Sequence, residues 1–294
     1  MKQVVLIDIL STIAIFIIKA LSHLSAKVLY KVSDVLSSTA YKLKSLPFTI
    51  TVRKNLQTAY LQKTIEEIRE IERLHYRAVC DFVVEYILSF SSGGADVTFD
   101  YEGVDVIDAT FKKHDYVICL SGHFLNYEAL TQLPSKFGNV KVCYLYQPSD
   151  SKKINDYITS VREKFGAQLI PTTLSLKHIL KATGTNTTRQ KCFIGAMADM
   201  MPPSNHTHTT WLMGQQVTAF YGMEKIGRML NAGFVYAKIK CKCRGRYEVS
   251  FQELNRKNSD SAFPITDSYF DMLSENIKEQ PEIWMLWGTN RFNL

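Results

Sequence analysis

The longest apolar segment of the chain is VVLIDILSTIAIFIIKAL, residues 4–21, interrupted by Asp8 and Lys19. A transmembrane helix needs about 20 clean apolar residues, and no small-residue cleavage site marks a signal peptide. The pattern predicts a helix that spans a bilayer marginally or lies in its interface; a helix pair packed on a soluble core is the other reading. The chain stays apolar to about Tyr41, with Lys27, Lys31, Lys42 and Lys44 interspersed. Lysines flanking an apolar face suit a cytoplasmic membrane leaflet. Residues 1–45 are therefore read as N-terminal interfacial helices and 46–294 as one globular body.

Within that body, residues 53–90 carry Ile65, Ile68, Ile71, Leu74, Tyr76 and Val79 near helical spacing with charges between, which predicts two helices. Ser91 to Gly94 ends the run. The period then changes. Apolar runs at 116–120, 140–146, 167–170 and 192–197 predict buried strands, separated by helical stretches at about 125–133, 151–165, 174–182 and 222–232. Such alternation predicts an α/β sandwich with a mostly parallel sheet flanked by helices. Residues 234–240 and 246–253 alternate around an Arg244-Gly245 turn and predict an antiparallel hairpin, and a closing helix is expected from about 265 to 279.

Composition narrows the partners. Hydrophobic residues make up 46% of the 294, enough for one large core. Lys and Arg number 35 against 28 Asp and Glu, a balance of +7 that suits an anionic membrane surface or an acidic protein partner. Nucleic acid is disfavoured, because no zinc spacing and no stacking-aromatic motif accompanies the charge. The six cysteines (80, 119, 143, 192, 241, 243) form no disulfide framework; Cys119 and Cys192 lie in strand runs and read as free core thiols of a reducing cytoplasm. Cys241-x-Cys243 has no second pair, which argues against zinc. The Asn-x-Thr triplets at Asn186 and Asn205 are at chance level.

Candidate chemistry centres on SGHFLNYE, residues 121–128, directly after the run Val117–Leu120. His123 stands where a buried strand should give way to a helix, with four residues between it and Glu128. An imidazole there can take a proton from a hydroxyl, and a carboxylate one turn on can hold its tautomer and favour its charged form. The spacing alone carries little weight, since about one such pair is expected by chance. Asn126 can fix the turn by a local side-chain bond. Asp199 follows the apolar strand CFIGAMA, where an acid is unexpected unless it caps a helix or holds a partner, and a salt bridge to Arg162, late in the helix SVREKF, would be such a tie inside the site. His123 and Asp199 each follow a strand, at the C-terminal ends where reactive groups gather, and Arg162 lies late on the helix between the second and third strands, so the three can meet. His206 and His208 with Asp199 suggest a metal site, but His-x-His in PPSNHTHTT reads as a polar loop, and no metal is called. Trp211, Phe220 and Tyr221 suit an acyl channel or simple core packing. No G-x-S-x-G elbow is present, which disfavours a serine hydrolase.

The octet SGHFLNYE resembles the Gly-His-Phe-x-Asn-Trp-Glu block of the lipid A biosynthesis acyltransferases, the late lauroyl/myristoyl transferases of Gram-negative bacteria. The resemblance runs from about residue 25 to the end. It takes in Arg162 and Gly166, Ala198-Asp199, TAFYGMEKIGRMLNAGFVYAKI (218–239), GRYEVSFQEL (245–254) and QPEIWMLWGTNRF (280–292), in the same order and spacing. Tyr127 stands where Trp is usual, Met200 where Gln is common, Gln147 where a basic residue often precedes the proline, and Thr289-Asn290 where His-Arg is usual.

The resemblance implies a glycerolipid-acyltransferase-like sandwich at the cytoplasmic face of the inner membrane. It implies transfer of a fatty acyl chain from an acyl carrier protein thioester to a hydroxyl of a lipid A precursor. His123 is then the general base, Glu128 its orienting carboxylate, and Arg162 the support of an oxyanion or of a phosphate. Asp199 and Asn126 complete the site, with no metal or redox cofactor. The alternatives are an acyltransferase for another membrane lipid (an aminolipid, a glycolipid or a pigment) and a lipid-binding membrane protein without catalysis.

Overall fold

A computed structural model describes residues 2–43, 47–89, 97–149, 151–172, 191–202, 208–256 and 260–292. Four helices come first: α1 (Lys2–Leu21), α2 (Ala26–Lys42), α3 (Pro47–Ala59) and α4 (Ile65–Ser89). The start of α4 is written in the sequence. Thr64 Oγ1 accepts from the Glu67 backbone N–H at 3.3 Å, and Glu67 returns a carboxylate to the Thr64 N–H at 2.8 Å, a reciprocal capping box.

The body then runs β1 (Thr98–Glu102), α5 (Val104–Lys113), β2 (Tyr116–Ser121), a 3-10 segment Tyr127–Lys136, β3 (Val140–Tyr146), α6 (Lys152–Arg162) and β4 (Gln168–Pro171). It continues with β5 (Lys191–Met197), β6 (Thr209–Leu212), β7 (Gln215–Thr218), α7 (Gly222–Leu230), β8 (Gly233–Cys243), β9 (Arg246–Glu253) and α8 (Pro264–Glu279). Short 3-10 turns at Pro281–Ile283 and Met285–Gly288 follow.

Seven strands form one sheet in the order β1-β9-β8-β2-β5-β3-β4. Its pairs are parallel except β8 with β9, the hairpin turning at Arg244-Gly245. The expected mostly parallel α/β architecture is therefore present. The central strands β2 and β5 are nearly continuous apolar runs because helices cover both faces of the sheet. The expected helix at 174–182 lies outside the described residues. The apolar pattern did not announce β1, α5 or the β6–β7 hairpin. β1 is an edge strand with Thr98, Asp100 and Glu102 facing solvent, so it carries little apolar signal. Cys119, Cys143 and Cys192 are buried, and all six cysteines are free thiols.

One expected helix changes character. Asn126 takes a left-handed φ of 54°, and the segment after it winds as a 3-10 helix rather than the α-helix expected over 125–133. His123 and Glu128 therefore do not share one helical face.

The N-terminal helices lie against the body. Ser11 Oγ on α1 is 2.8 Å from Ser151 Oγ, and Lys153 Nζ donates to Thr12 Oγ1 at 2.8 Å. α2 packs along α4 in an unusual orientation. Its buried positions are Leu29, Ser33 and Ser37, whereas Val28, Val32, Val35 and Leu36 are exposed, Val35 by 66%. The inward serines make polar ties, Ser33 to Asp81 at 2.5 Å and Ser37 to the Asp34 carbonyl at 3.2 Å, and Arg244 bridges Asp34 at 2.6 Å and Asp81 at 2.7 Å. Among the described residues no helix is long and apolar enough to cross a membrane.

Candidate functional site

The register of the sheet builds the site. β2 and β5 pair in parallel with Ser121 opposite Met197 as the last pair. His123 and Asp199 each lie two residues further on, so two chain segments leaving the same sheet edge side by side bring them together. Gly122 lets them close: a Cβ there would stand 3.1 Å from Asp199 Oδ2 and 2.6 Å from the Leu273 side chain.

Asp199 is fully buried and accepts three hydrogen bonds. His123 Nδ1 meets its Oδ1 at 2.5 Å, the His123 backbone N–H donates to Oδ2 at 2.7 Å, and Trp284 Nε1–H donates to Oδ2 at 2.9 Å. Burial works to raise the Asp199 carboxyl pKa, but the charge of His123 and these bonds hold it below the usual range. For His123, burial works to lower the pKa, and the Asp199 carboxylate more than offsets that, leaving the imidazole above its ordinary 6.5. The carboxylate on Nδ1 fixes the tautomer, so Nε2 is the nitrogen presented outward. The His123 side chain keeps 22% of its surface exposed.

Two expected pairings are corrected here. Glu128 does not orient His123, and Asp199 does not pair with Arg162; the partners are exchanged. Arg162 Nε lies 3.1 Å and 3.0 Å from the two Glu128 oxygens, and Nη2 lies 2.5 Å from Oε1. This planar, forked pairing is one that only arginine gives. The Tyr127 ring stands between the two ion pairs. It meets the His123 ring edge-on at 5.8 Å and lies under the Arg162 guanidinium at 5.9 Å. Asn126 holds the turn's left-handed φ of 54°, but its side-chain amide reaches out to Glu85 on α4 rather than bonding locally.

The C-terminal segment was quoted for its pattern, yet no site role was read from it. Met285 N donates to His123 O at 2.8 Å, Leu125 N donates to Ile283 O at 2.9 Å, and Phe124 bridges Trp284. The segment thus laces the His123 turn and supplies the Trp284 indole to Asp199. His75 Nδ1–H donates to Glu282 O at 2.9 Å, and burial pushes its pKa down to about 4, keeping the ring neutral. Asn55 on α3 donates to Trp287 O at 2.8 Å and Thr289 O at 2.6 Å. Glu85 was also missed. Its signal is an acid in the apolar stretch DFVVEYIL, which requires partners if buried.

The remaining candidates stand apart. His208 Nε2 lies 2.8 Å from Asp267 on α8. His206 lies outside the described residues, and among those described no group of three ligating side chains is arranged for a metal. Tyr221 stacks on Phe263 with centroids 4.1 Å apart, Phe220 packs against the core, and Trp211 on the β6–β7 hairpin is 62% exposed.

A buried carboxylate behind an imidazole that keeps one nitrogen outward can deprotonate a hydroxyl and return the proton to a leaving group. Residues 2–293 match the family model described as bacterial lipid A biosynthesis acyltransferase. No curated protein matches the chain.

Proposed function

The chain belongs to the bacterial lipid A biosynthesis acyltransferase family, and on that premise we propose that it moves a fatty acyl chain from an acyl carrier protein thioester to a hydroxyl of a lipid A precursor. The observation that carries the reading is the His123 ring, held through Nδ1 by buried Asp199 at the C-terminal edge of the parallel strands with its other nitrogen free to face substrate.

In this reading His123 Nε2 takes the hydroxyl proton as the oxygen attacks the thioester carbonyl. The new C–O bond forms, the carbonyl π pair moves to oxygen, and the imidazolium is stabilised by Asp199. Arg162 supports the oxyanion or a phosphate of either substrate. Collapse breaks the C–S bond, and the thiolate leaves with the proton from His123. A thiol leaves readily near neutral pH, so no covalent enzyme intermediate is required. Glu128 serves by fixing the Arg162 guanidinium rather than by acting on the imidazole.

The donor and acceptor are tested together. Purified protein is given acyl carrier protein bearing a labelled chain, with and without a lipid A precursor carrying free hydroxyls. Label should enter the lipid, and the carrier should lose it only when the acceptor is present. A carrier that keeps its chain in the presence of that precursor, while another lipid accepts it, would reassign the acceptor. Strong preference for the same chain on coenzyme A would reassign the donor.

We assign residues 1–45 to the cytoplasmic face of the inner membrane. The exposed Val28, Val32, Val35 and Leu36 of α2 lie within about 100° of helix surface, taking 100° per residue, beside Lys27 and Lys31. An outward apolar stripe flanked by lysines is the arrangement of an interfacial helix. Val35→Glu with Leu36→Glu removes apolar side chains worth about 1.5–3 kcal/mol each when buried. In flotation with anionic phospholipid vesicles the double variant should bind at least about tenfold more weakly. Undiminished flotation would show that this face does not meet lipid.

A further inference from the structure

Glu85 is 1% exposed, and among the described residues no lysine or arginine forms a salt bridge to it. Four donors from separate parts of the chain converge on its carboxylate instead. The Tyr30 hydroxyl of α2 and the Gly245 N–H of the hairpin turn each reach Oε1 at 2.8 Å. The Tyr247 hydroxyl of β9 reaches Oε2 at 2.5 Å, and the Asn126 side-chain amide donates to the same oxygen. A carboxylate offers about four lone-pair sites, so its capacity is filled.

Burying an acid without a counter-cation is costly, and burial pushes the Glu85 pKa up. An apolar residue would fill the space more cheaply, so the position is used for accepting several hydrogen bonds at once. The informative donor is Asn126. It is 3% exposed and holds a φ of 54°, three residues after His123 and two before Glu128. Left-handed backbone is strained for a residue with a Cβ and persists where its surroundings fix it. The turn closes through Ala129 N to Asn126 O at 2.8 Å. The side-chain tie to Glu85 is the hydrogen bond that joins this turn to α4, beside the packing of Tyr127 on Phe82 of the same helix at 5.8 Å.

We propose that Glu85 is a positioning residue for acyl transfer: by holding the amide of Asn126 it sets the left-handed turn on whose two sides His123 and Glu128 stand. The proposal deepens the acyltransferase reading and rests on it for its kinetic readout. Glu85 touches no substrate; it acts through Asn126.

Two variants test it. Glu85→Gln keeps the shape and turns one acceptor oxygen into a donor facing donors. Asn126→Gly keeps the left-handed backbone without strain and deletes the amide that Glu85 holds. Each should lower kcat by about 10–100-fold, the scale of a misplaced catalytic group, while KM for the acyl carrier protein stays within about twofold. The double variant should be no slower than the worse single, because both remove one link. The carbon-13 ring signal of His123, identified by its loss in His123→Ala, should move in both single variants.

Additive losses in the double variant would overturn the proposal, as would an unchanged kcat and ring signal in Glu85→Gln that melts cooperatively. If Glu85→Gln does not fold, Asn126→Gly decides alone, and full kcat with an unmoved ring signal overturns the idea. If the unmodified protein transfers no acyl chain, the acyltransferase reading fails, and the ring signal still judges the positioning role.

Discussion

His123→Ala is expected to reduce kcat by at least about 10⁴, a loss of roughly 5.4 kcal/mol of barrier lowering at 1.36 kcal/mol per decade. In the proposed mechanism the hydroxyl would then lose its base, and the departing thiolate its proton. The protein should still fold. Asp199 keeps the His123 backbone N–H and the Trp284 indole as donors, and the imidazole is partly exposed rather than a packing element. Losing one of three donors from a buried carboxylate costs about 1–3 kcal/mol, visible as a lower melting temperature with the far-ultraviolet dichroism unchanged. Transfer within tenfold of normal in the purified variant would remove His123 from the mechanism.

Asp199→Asn is expected to lower kcat by about 10³–10⁴, the scale seen when the carboxylate behind a catalytic imidazole becomes an amide. The more telling result is the direction of the pH shift. In the intact protein Asp199 holds the His123 pKa above 6.5, so kcat/KM should fall on the acid side with a midpoint above that value. Without the anion, burial alone acts on the imidazole and lowers its pKa, so the acid limb should move below pH 6.5. Glu128→Gln is the contrast. Glu128 contacts Arg162 and not the imidazole, so the variant should lose rate with the acid limb in place. An acid limb that moves in Glu128→Gln and stays put in Asp199→Asn would restore the pairing that spacing alone suggested.

That exchange of partners marks where reading the sequence stops. The strand read at 116–120, the acid after the run at 192–197 and the histidine turn were all legible as local patterns. Their meeting was not, because it depends on β2 lying beside β5 in a register that sets Ser121 against Met197. Nothing in either strand's own period states which strand is its neighbour. The Glu128 expectation failed locally. Continuous helical spacing from residue 125 was assumed, and one left-handed residue at Asn126 broke it. Arg162 was singled out correctly as a charge in the neighbourhood, but an arginine on a charged helix carries no sign of which of two acids it will fork. Trp284 was hidden differently. A tryptophan in an apolar stretch reads as core, which it also is, and its indole donor shows only against the buried acid 85 residues away.

The lacing of the His123 turn by residues 283–285 has a consequence during synthesis. The turn and Asp199 emerge from the ribosome well before Trp284, which follows Asp199 by 85 residues. At about 5–20 residues per second that interval lasts roughly 4–17 seconds. Throughout it the histidine and its carboxylate can exist without the indole and backbone contacts that set them. A nascent chain that has not yet released residues 283–285 is therefore expected to lack a fully set His123–Asp199 pair.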